Sequence, residues 1–246
     1  MILKEKTIFI TGVGKGIGKA ICETSLKNGA FVYGLTRSRS DLKRFKNFNN
    51  LKIYVGDANN INLIKKIFLH AKKNNKKITG IVNNAGTRFR KPFLKIKRKD
   101  LINVFDNNFF SIFQIIQEYI KYLGQRNKDY CSVVNIGSIV GKIGFSELSA
   151  YASTKSALTG LTKSLAREFA KSRIRLNIVN PGFIKTSYYK KFKEKKKLYK
   201  WTLSRIPFNK WGEPEDISEF IVFLLSDKSK YFNGEDIAVD GGWLSS

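Results

Sequence analysis

Short apolar runs alternate with longer stretches of helical periodicity along this chain, and this alternation constrains its fold more than any other feature. The strand-like runs are 7–11, 31–35, 51–55, 78–83, 132–136, 175–179 and 236–239. Amphipathic helical patterns lie between them, notably at 17–28, 60–73, 100–123, 151–170 and 214–226. The alternation predicts an α/β fold, a doubly wound seven-stranded parallel sheet with helices on both faces.

The chain is expected to form a single domain, because no Pro-, Gly- or Ser-rich linker and no internal repeat divides positions 1–246. Hydrophobic residues make up 42% of it, which is enough for a sizeable core. No apolar run approaches the roughly 18 residues of a membrane span, and residues 1–6 lack the layout of a signal peptide. We therefore expect a cytoplasmic protein.

The charge balance is strongly basic, with 46 Lys and Arg against 19 Asp and Glu and a formal net charge of +27. Such an excess attracts polyanions or acidic substrates. Coding bias toward lysine gives the same composition without any partner, and the even spread of charge along the chain leaves both interpretations open. Cys22 and Cys131 are expected to be small buried hydrophobes and His70 a surface residue. With a single histidine, neither a metal site nor a histidine-based triad is expected.

A glycine-rich turn follows the first strand-like run and precedes a helix; its residues are Gly12, Gly14, Lys15, Gly16, Ile17 and Gly18. Small residues let the backbone approach a pyrophosphate, which the free N–H groups and the dipole of the helix attract. An acid that would hold a ribose 2′-hydroxyl is missing from 35–39, whereas Arg37 and Lys15 can pair with a 2′-phosphate. The expected cofactor is therefore NADP(H) rather than NAD(H).

Three more turns at the same expected edge would complete the cofactor cleft. Their residues are Asp57 and Ala58, then Asn84, Ala85 and Gly86, then Pro181, Gly182, Ile184 and Thr186. The Asp57 carboxylate can accept from an adenine amino group or cap the helix that follows, and the sequence does not separate the two roles. Thr186 is placed to bond a nicotinamide carboxamide.

Tyr151 and Lys155 lie four residues apart near the start of a helical stretch, so they share one face. A nearby ammonium lowers the pKa of a tyrosine, and such a phenol can give a proton to a developing alkoxide or take one from an alcohol. Ser138 follows the fifth run and can polarise a carbonyl beside Tyr151. Asn108 lies in an apolar helical stretch, where it can hold a water that links Lys155 to solvent.

These residues, in this order and spacing, resemble the short-chain dehydrogenase/reductase family over nearly the whole chain. The resemblance implies a Rossmann-like sheet, hydride transfer at nicotinamide C4, and a catalytic tetrad of Asn108, Ser138, Tyr151 and Lys155, with Tyr151 and Lys155 also contacting the cofactor. Segments such as 153–168 and 206–216 are similar to bacterial 3-oxoacyl-(acyl carrier protein) reductases and to related sugar dehydrogenases. The family also implies a homotetramer, or a homodimer.

Residues 187–206 are expected to form a lid over the substrate, and their many lysines suit an anionic substrate or simply a solvated surface. The expected function is NADP(H)-dependent hydride transfer to or from a ketone or secondary alcohol, as a ketoreductase of 3-oxoacyl-thioester type. The alternative is a sugar, nucleotide-sugar or polyol dehydrogenase. A non-catalytic NADP-binding protein is disfavoured by the intact tetrad, and no nucleic acid partner is expected.

Overall fold

A computed structural model of the chain describes residues 1–45, 48–124, 127 and 129–245. Within these residues one parallel sheet has the order β3-β2-β1-β4-β5-β6-β7. The strands are β1 (Thr7–Thr11), β2 (Phe31–Thr36), β3 (Leu51–Val55), β4 (Ile78–Asn83), β5 (Cys131–Ile136), β6 (Ile174–Pro181) and β7 (Asp236–Val239). The predicted doubly wound seven-stranded sheet is confirmed.

Helices cover both faces of the sheet. They are α1 (Gly16–Lys27), α2 (Ile61–Lys73), α3 (Arg98–Phe105), α4 (Ser111–Leu123), α5 (Val140–Ile143), α6 (Ser149–Glu168), α7 (Tyr189–Lys193), α8 (Lys196–Arg205) and α9 (Pro214–Leu225). Apolar residues of α2, α4 and α6 form the core on one face, and those of α1 and α9 form the core on the other. No helix in the described ranges is long and apolar enough to cross a membrane.

Local sequence accounts for several helix starts. Asn60 caps α2, because its side chain accepts a hydrogen bond from the backbone N–H of Leu63. At the start of α9, Pro214 occupies the first turn, and Glu213 and Asp216 form a reciprocal capping box. These capping signals set the residues at which α2 and α9 begin.

The long helix expected at 100–123 is interrupted. A π-helical turn at Asp106–Phe110 separates α3 from α4. Such a turn adds one residue to the helical register and changes which side chains face inward. Here Asn108 becomes fully buried while Phe110 stays exposed. The sequence pattern gave no sign of this turn.

Two smaller expectations concern single residues. Cys22 and Cys131 are both buried, as expected. His70, expected at the surface, is partly exposed. Its ring is half-buried, and its Nδ1 shares a hydrogen bond of 2.7 Å with the hydroxyl of Tyr54. The histidine therefore helps to fasten α2 to β3.

Candidate active site

The carboxyl ends of the strands meet at one edge of the sheet, where the strand order reverses between β1 and β4. Open parallel sheets bind ligands at such a reversal. Two adjoining cavities of about 490 and 410 Å³ lie there, and Lys15, Asn84, Gly86 and Thr87 line both. We refer to them as the nucleotide cavity and the reaction cavity, in that order.

Nine of the residues expected to bind the cofactor line the nucleotide cavity: Gly12, Gly14, Lys15, Arg37, Asp57, Ala58, Asn84, Ala85 and Gly86. Helix α1 begins beside it with no capping side chain and no acidic residue in its first turn. Its first N–H groups are therefore left for an anion, which the positive end of the helix dipole also attracts. The residues present fit the diphosphate of a dinucleotide.

Close backbone packing defines the glycine-rich turn. Gly12 has φ +75°, a conformation that favours glycine. The Asn84 side-chain amide donates to the carbonyl oxygens of Thr11 at 3.0 Å and Gly12 at 3.2 Å. A Cβ on Gly18 would lie 2.1 Å from the Gly12 carbonyl oxygen and 2.3 Å from Asn84 Nδ2. Gly18 is therefore required for α1 to approach the turn.

Replacing Gly18 with alanine is expected to lower the free energy of unfolding by about 1–3 kcal/mol, because backbone atoms must shift to admit the methyl group. Urea unfolding followed by circular dichroism measures this. The matched control is Gly160→Ala in α6, where an added Cβ meets no atom within 4 Å. That substitution should stabilise by about 0.5–1 kcal/mol, as alanine does in a helix interior. Equal effects at both sites would contradict the packing argument.

An acid that sequence reasoning missed enters the nucleotide cavity from the 3₁₀ segment Arg39–Phe45. The Asp41 carboxylate accepts from the Thr36 hydroxyl at 2.6 Å and pairs with Arg44 at 3.4 Å. Arg44 also donates to the Gly14 carbonyl at 2.8 Å. Arg44 therefore offsets the negative charge of Asp41 and ties this segment to the glycine-rich turn.

The structure separates the two roles left open for Asp57. Asn60, not Asp57, caps α2. Asp57 Oδ1 accepts from the backbone N–H of Asn59 at 2.9 Å, and the residue lines the nucleotide cavity. Asp57 thus shapes the loop before α2 and lines the nucleotide cavity, and its expected contact with an adenine amino group stays a prediction.

All but one of the other residues expected at the site line the reaction cavity, the exception being Asn108. They are Gly16, Ile17, Gly18, Ser138, Tyr151, Lys155, Pro181, Gly182, Ile184 and Thr186. Apolar side chains that the sequence did not single out complete its wall: Phe145, Leu148, Phe183 and Trp211. Trp211 and Phe183 pack with ring centroids 5.0 Å apart, within an aromatic cluster that continues into α7 and α8. The cavity thus has a polar base and an apolar wall.

Tyr151, Ser138 and Lys155 converge at the base of this cavity. Burial raises the pKa of Tyr151, and a hydrogen bond with Ser138 and the charge of Arg88 partly offset that rise. Lys155 lies 5.8 Å from the centre of the Tyr151 ring, and its ammonium donates to the Ile136 carbonyl at 2.7 Å. Burial lowers the pKa of Lys155 to about 8. The pKa of Tyr151 is thus raised rather than lowered, and the groups that oppose the rise are Ser138 and Arg88, not the expected Lys155.

Ser138 is held in place on both sides. Its backbone N–H donates to Asn180 Oδ1 at 3.0 Å, and its Oγ accepts from the backbone N–H of Val140 at 3.2 Å. Because one lone pair of Oγ is already engaged, the hydroxyl proton remains for Tyr151 or for a carbonyl oxygen in the cavity.

Asn108 lines neither cavity. Its Oδ1 accepts from the Thr87 backbone N–H at 2.7 Å, and its Nδ2 donates to the Thr87 carbonyl at 2.9 Å and to Thr154 Oγ1 at 3.3 Å. Thr154 Oγ1 in turn donates to the Tyr151 carbonyl at 2.7 Å. Asn108 therefore links the loop after β4 to the turn of α6 that carries Tyr151. In this arrangement its contacts are those of a positioning residue.

Known proteins are similar to this chain in sequence and fold. A family model described as enoyl-(acyl carrier protein) reductase matches residues 12–244. The chain is 35% identical to the 3-oxoacyl-[acyl-carrier-protein] reductase FabG of Thermotoga maritima, over 98% of this chain and 99% of the relative. It is 34% identical to the 2-dehydro-3-deoxy-D-gluconate 5-dehydrogenase of Bacillus subtilis, over 99% and 96%. A solved structure of ElxO with NADP bound superposes with a TM-score of 0.90 at 31% identity, covering 98% and 99%.

The chain belongs to the short-chain dehydrogenase/reductase family. It is therefore an oxidoreductase of the type that interconverts CH–OH and C=O groups. The family resemblance drawn from the motifs is confirmed. Most residues of the site could be found because their motifs are local, whereas Asp41, Phe145 and Trp211 have no motif. The only sequence signal for them was position, since each lies near the end of a strand-like run or beside the segment 187–206.

Proposed function

We propose that this short-chain dehydrogenase/reductase transfers a hydride between NADP(H) and a ketone or secondary alcohol, with Tyr151 as proton donor and acceptor. One observation carries the proposal. The Tyr151 hydroxyl, the Ser138 hydroxyl and the Lys155 ammonium share one cavity, and that cavity opens into the nucleotide cavity. When bound, the cofactor supplies or accepts the hydride.

Each residue of the site has a separate role in proton transfer, hydrogen bonding or positioning. Because burial raises its pKa, Tyr151 holds its proton at neutral pH and is ready to donate it to a developing alkoxide. Ser138 donates a hydrogen bond to the same oxygen. Lys155 uses one of its three N–H donors on Ile136, which leaves donors for a cofactor hydroxyl. Asn108 holds the Thr87 loop and the start of α6 in place.

The choice of NADP(H) rests on charge at the far end of the nucleotide cavity. Arg37 and Lys15 are both exposed there, and within the described part of the chain neither is paired with a carboxylate. A guanidinium matches a phosphate in a bidentate manner. The solved structure of ElxO, which contains NADP, supports the same choice.

Replacing Arg37 with aspartate is expected to weaken NADPH binding by about ten- to hundred-fold, because a charge-assisted contact is lost and a repulsive charge is gained. NADH, which lacks the 2′-phosphate, should lose far less affinity. Titration of protein fluorescence with each cofactor measures both. Arg39→Asp, with the same charge change outside the cavity lining, is the control. Equal losses for both cofactors in the Arg37 variant would reject the assignment.

Two substrate classes follow from the relatives. The 3-oxoacyl thioesters come first, because several curated relatives are 3-oxoacyl-[acyl-carrier-protein] reductases. Sugars, nucleotide sugars and polyols come second, supported by the 2-dehydro-3-deoxy-D-gluconate 5-dehydrogenase. The test is NADPH oxidation with acetoacetyl thioesters against a panel of ketoses, followed by a crystal soaked with NADP and the best substrate. If the enzyme reduces no carbonyl compound with NADPH, the proposed function is overturned.

Two further elements are proposed with it. The 187–206 segment, which forms α7 and α8, serves as the substrate lid, since its aromatic residues pack against Trp211 in the cavity wall. The chain also assembles as a homotetramer, and exposed apolar residues on α3, the π turn and α4 support a subunit contact there: Leu101, Ile102, Phe110 and Phe113. If light scattering gives the molar mass of a monomer, the proposed homotetramer is overturned.

A further inference from the structure

The reaction cavity holds cations but no acid. Among its lining residues are Lys15, Arg88 and Lys155, and no aspartate or glutamate lines it in the described part of the chain. Lys15 also lines the nucleotide cavity, where we have proposed that it contacts the cofactor. Lys155 is buried and bonded to Ile136 at the base of the cavity. Arg88 is therefore the positive charge left at the substrate end.

Two basic residues that follow Arg88 in the chain form ion pairs with carboxylates, whereas Arg88 forms none with the described residues. Arg90 forms an ion pair of 2.7 Å with Glu147, and Lys91 forms one of 2.6 Å with Asp100. Within the described residues, no carboxylate lies at ion-pair distance from Arg88. Its guanidinium instead stacks on the Tyr188 ring, with Cζ 4.9 Å from the ring centre. That stacking holds the guanidinium at the mouth of the cavity and leaves its N–H edge for a ligand.

Arg88 and the reacting groups line one cavity. Arg88, Tyr151 and Ser138 are all among the residues that line the reaction cavity, whose volume is about 410 Å³. Phe145 and Leu148 give the same cavity an apolar wall. An ionic contact is stronger beside such a wall than in bulk water. An anion bound by Arg88 would therefore share this small cavity with the carbonyl that Tyr151 protonates.

We propose that Arg88 binds the carboxylate of the substrate, and that the substrate is an oxo acid or hydroxy acid whose free carboxylate lies a few carbons from the reacting carbon. The inference rests on the proposed function and narrows it. A 3-oxoacyl thioester carries no charge near its 3-oxo group, so Arg88 favours an oxo acid or hydroxy acid over the thioesters named first above. A guanidinium pairs with a carboxylate through two parallel hydrogen bonds, which also orients the chain of the substrate.

The test compares a series of 2-, 3-, 4- and 5-oxo acids with their methyl esters in NADPH-dependent reduction. In the wild-type enzyme, one or more acids should have a KM well below that of the matching ester. In Arg88→Met, the KM for that acid should rise about ten- to hundred-fold and the KM of the ester should change little, because a binding contact made only by the acid is lost. Since the charge of Arg88 also acts on Tyr151, any change in kcat should be the same for the acid and the ester. Arg88→Lys should bind the acid more tightly than Arg88→Met but less tightly than the wild type, since lysine keeps the positive charge and lacks the two parallel N–H donors of the guanidinium.

Lys95→Met is the matched control, since it removes one positive charge from an exposed site outside the cavity lining. Its KM for the acid should stay at the wild-type value. If acids and esters have equal KM in the wild type, or if Arg88→Met changes both equally, the carboxylate assignment is overturned while the proposed function stands. If neither acids nor esters are reduced with NADPH, and no other ketone is, the proposed function fails and the inference fails with it.

Discussion

Replacing Tyr151 with phenylalanine is expected to lower kcat about 10²–10⁴-fold, because the variant keeps the ring and loses the group that moves the proton. The Ser138 hydroxyl and the Lys155 ammonium remain at the base of the cavity. Affinity for NADPH should therefore change little. Steady-state NADPH oxidation gives kcat, and fluorescence titration gives the affinity for the cofactor.

Tyr130→Phe is the control for this experiment. Tyr130 is exposed just before β5, at the opposite edge of the sheet, and lines neither the nucleotide nor the reaction cavity. Its loss should leave turnover at the wild-type rate. A Tyr151→Phe enzyme with full activity would show that another group transfers the proton.

The second large effect concerns stability and pH, and it arises from Lys155. Burial lowers the pKa of this residue from 10.5 to about 8 in the folded protein. Between these two values the unfolded chain binds more protons than the folded one, so the free energy of unfolding rises with pH. The charged form of the buried lysine therefore destabilises the protein below pH 8, and the penalty is relieved as the pH rises toward 10.5.

Wild type compared with Lys155→Met should reveal this dependence. Between pH 7.5 and 9.5 the free energy of unfolding of the wild type should increase by about 2 kcal/mol relative to the variant, which has no titrating group at this position. Urea unfolding at the two pH values measures it. Burial also raises the pKa of Tyr151 and Cys22, but both residues are present in the two proteins and their contributions cancel. Parallel pH profiles would show that Lys155 titrates normally.

The expected rise of the free energy of unfolding with pH also bears on the function of Lys155. A lysine ammonium without a carboxylate partner is costly to bury, and replacing it with an apolar side chain removes that cost. Lys155→Met should therefore lose turnover while losing its pH-dependent stability penalty. Such opposed effects are typical of groups retained for catalysis rather than for folding.

The sheet and its motifs could be predicted because their signals are local. Strands such as β1 carry a short apolar run, here Ile8 to Ile10. The spacing of Tyr151 and Lys155 places both on one helical face whatever the rest of the chain does. The fold, the family and the location of the motif residues along the cleft all follow from such signals.

Features that depend on distant contacts could not be predicted. Asp41 enters the nucleotide cavity because Arg44 reaches the Gly14 carbonyl, 30 residues earlier in the chain. Asn108 turns inward through a π turn, which changes the helical register that the sequence alone would predict. The pKa of Tyr151 depends on how deeply the phenol is buried, and spacing along a helix carries no information about burial.

The aromatic cluster beside the reaction cavity has a practical consequence. The chain contains three tryptophans, Trp201, Trp211 and Trp243, and all of them lie in or against the lid segment. Trp211 also lines the cavity, so it is the one that a bound ligand would contact. Ultraviolet-excited emission of the unlabelled protein therefore originates almost entirely from this corner, and time-resolved emission can follow opening and closing there without any introduced dye.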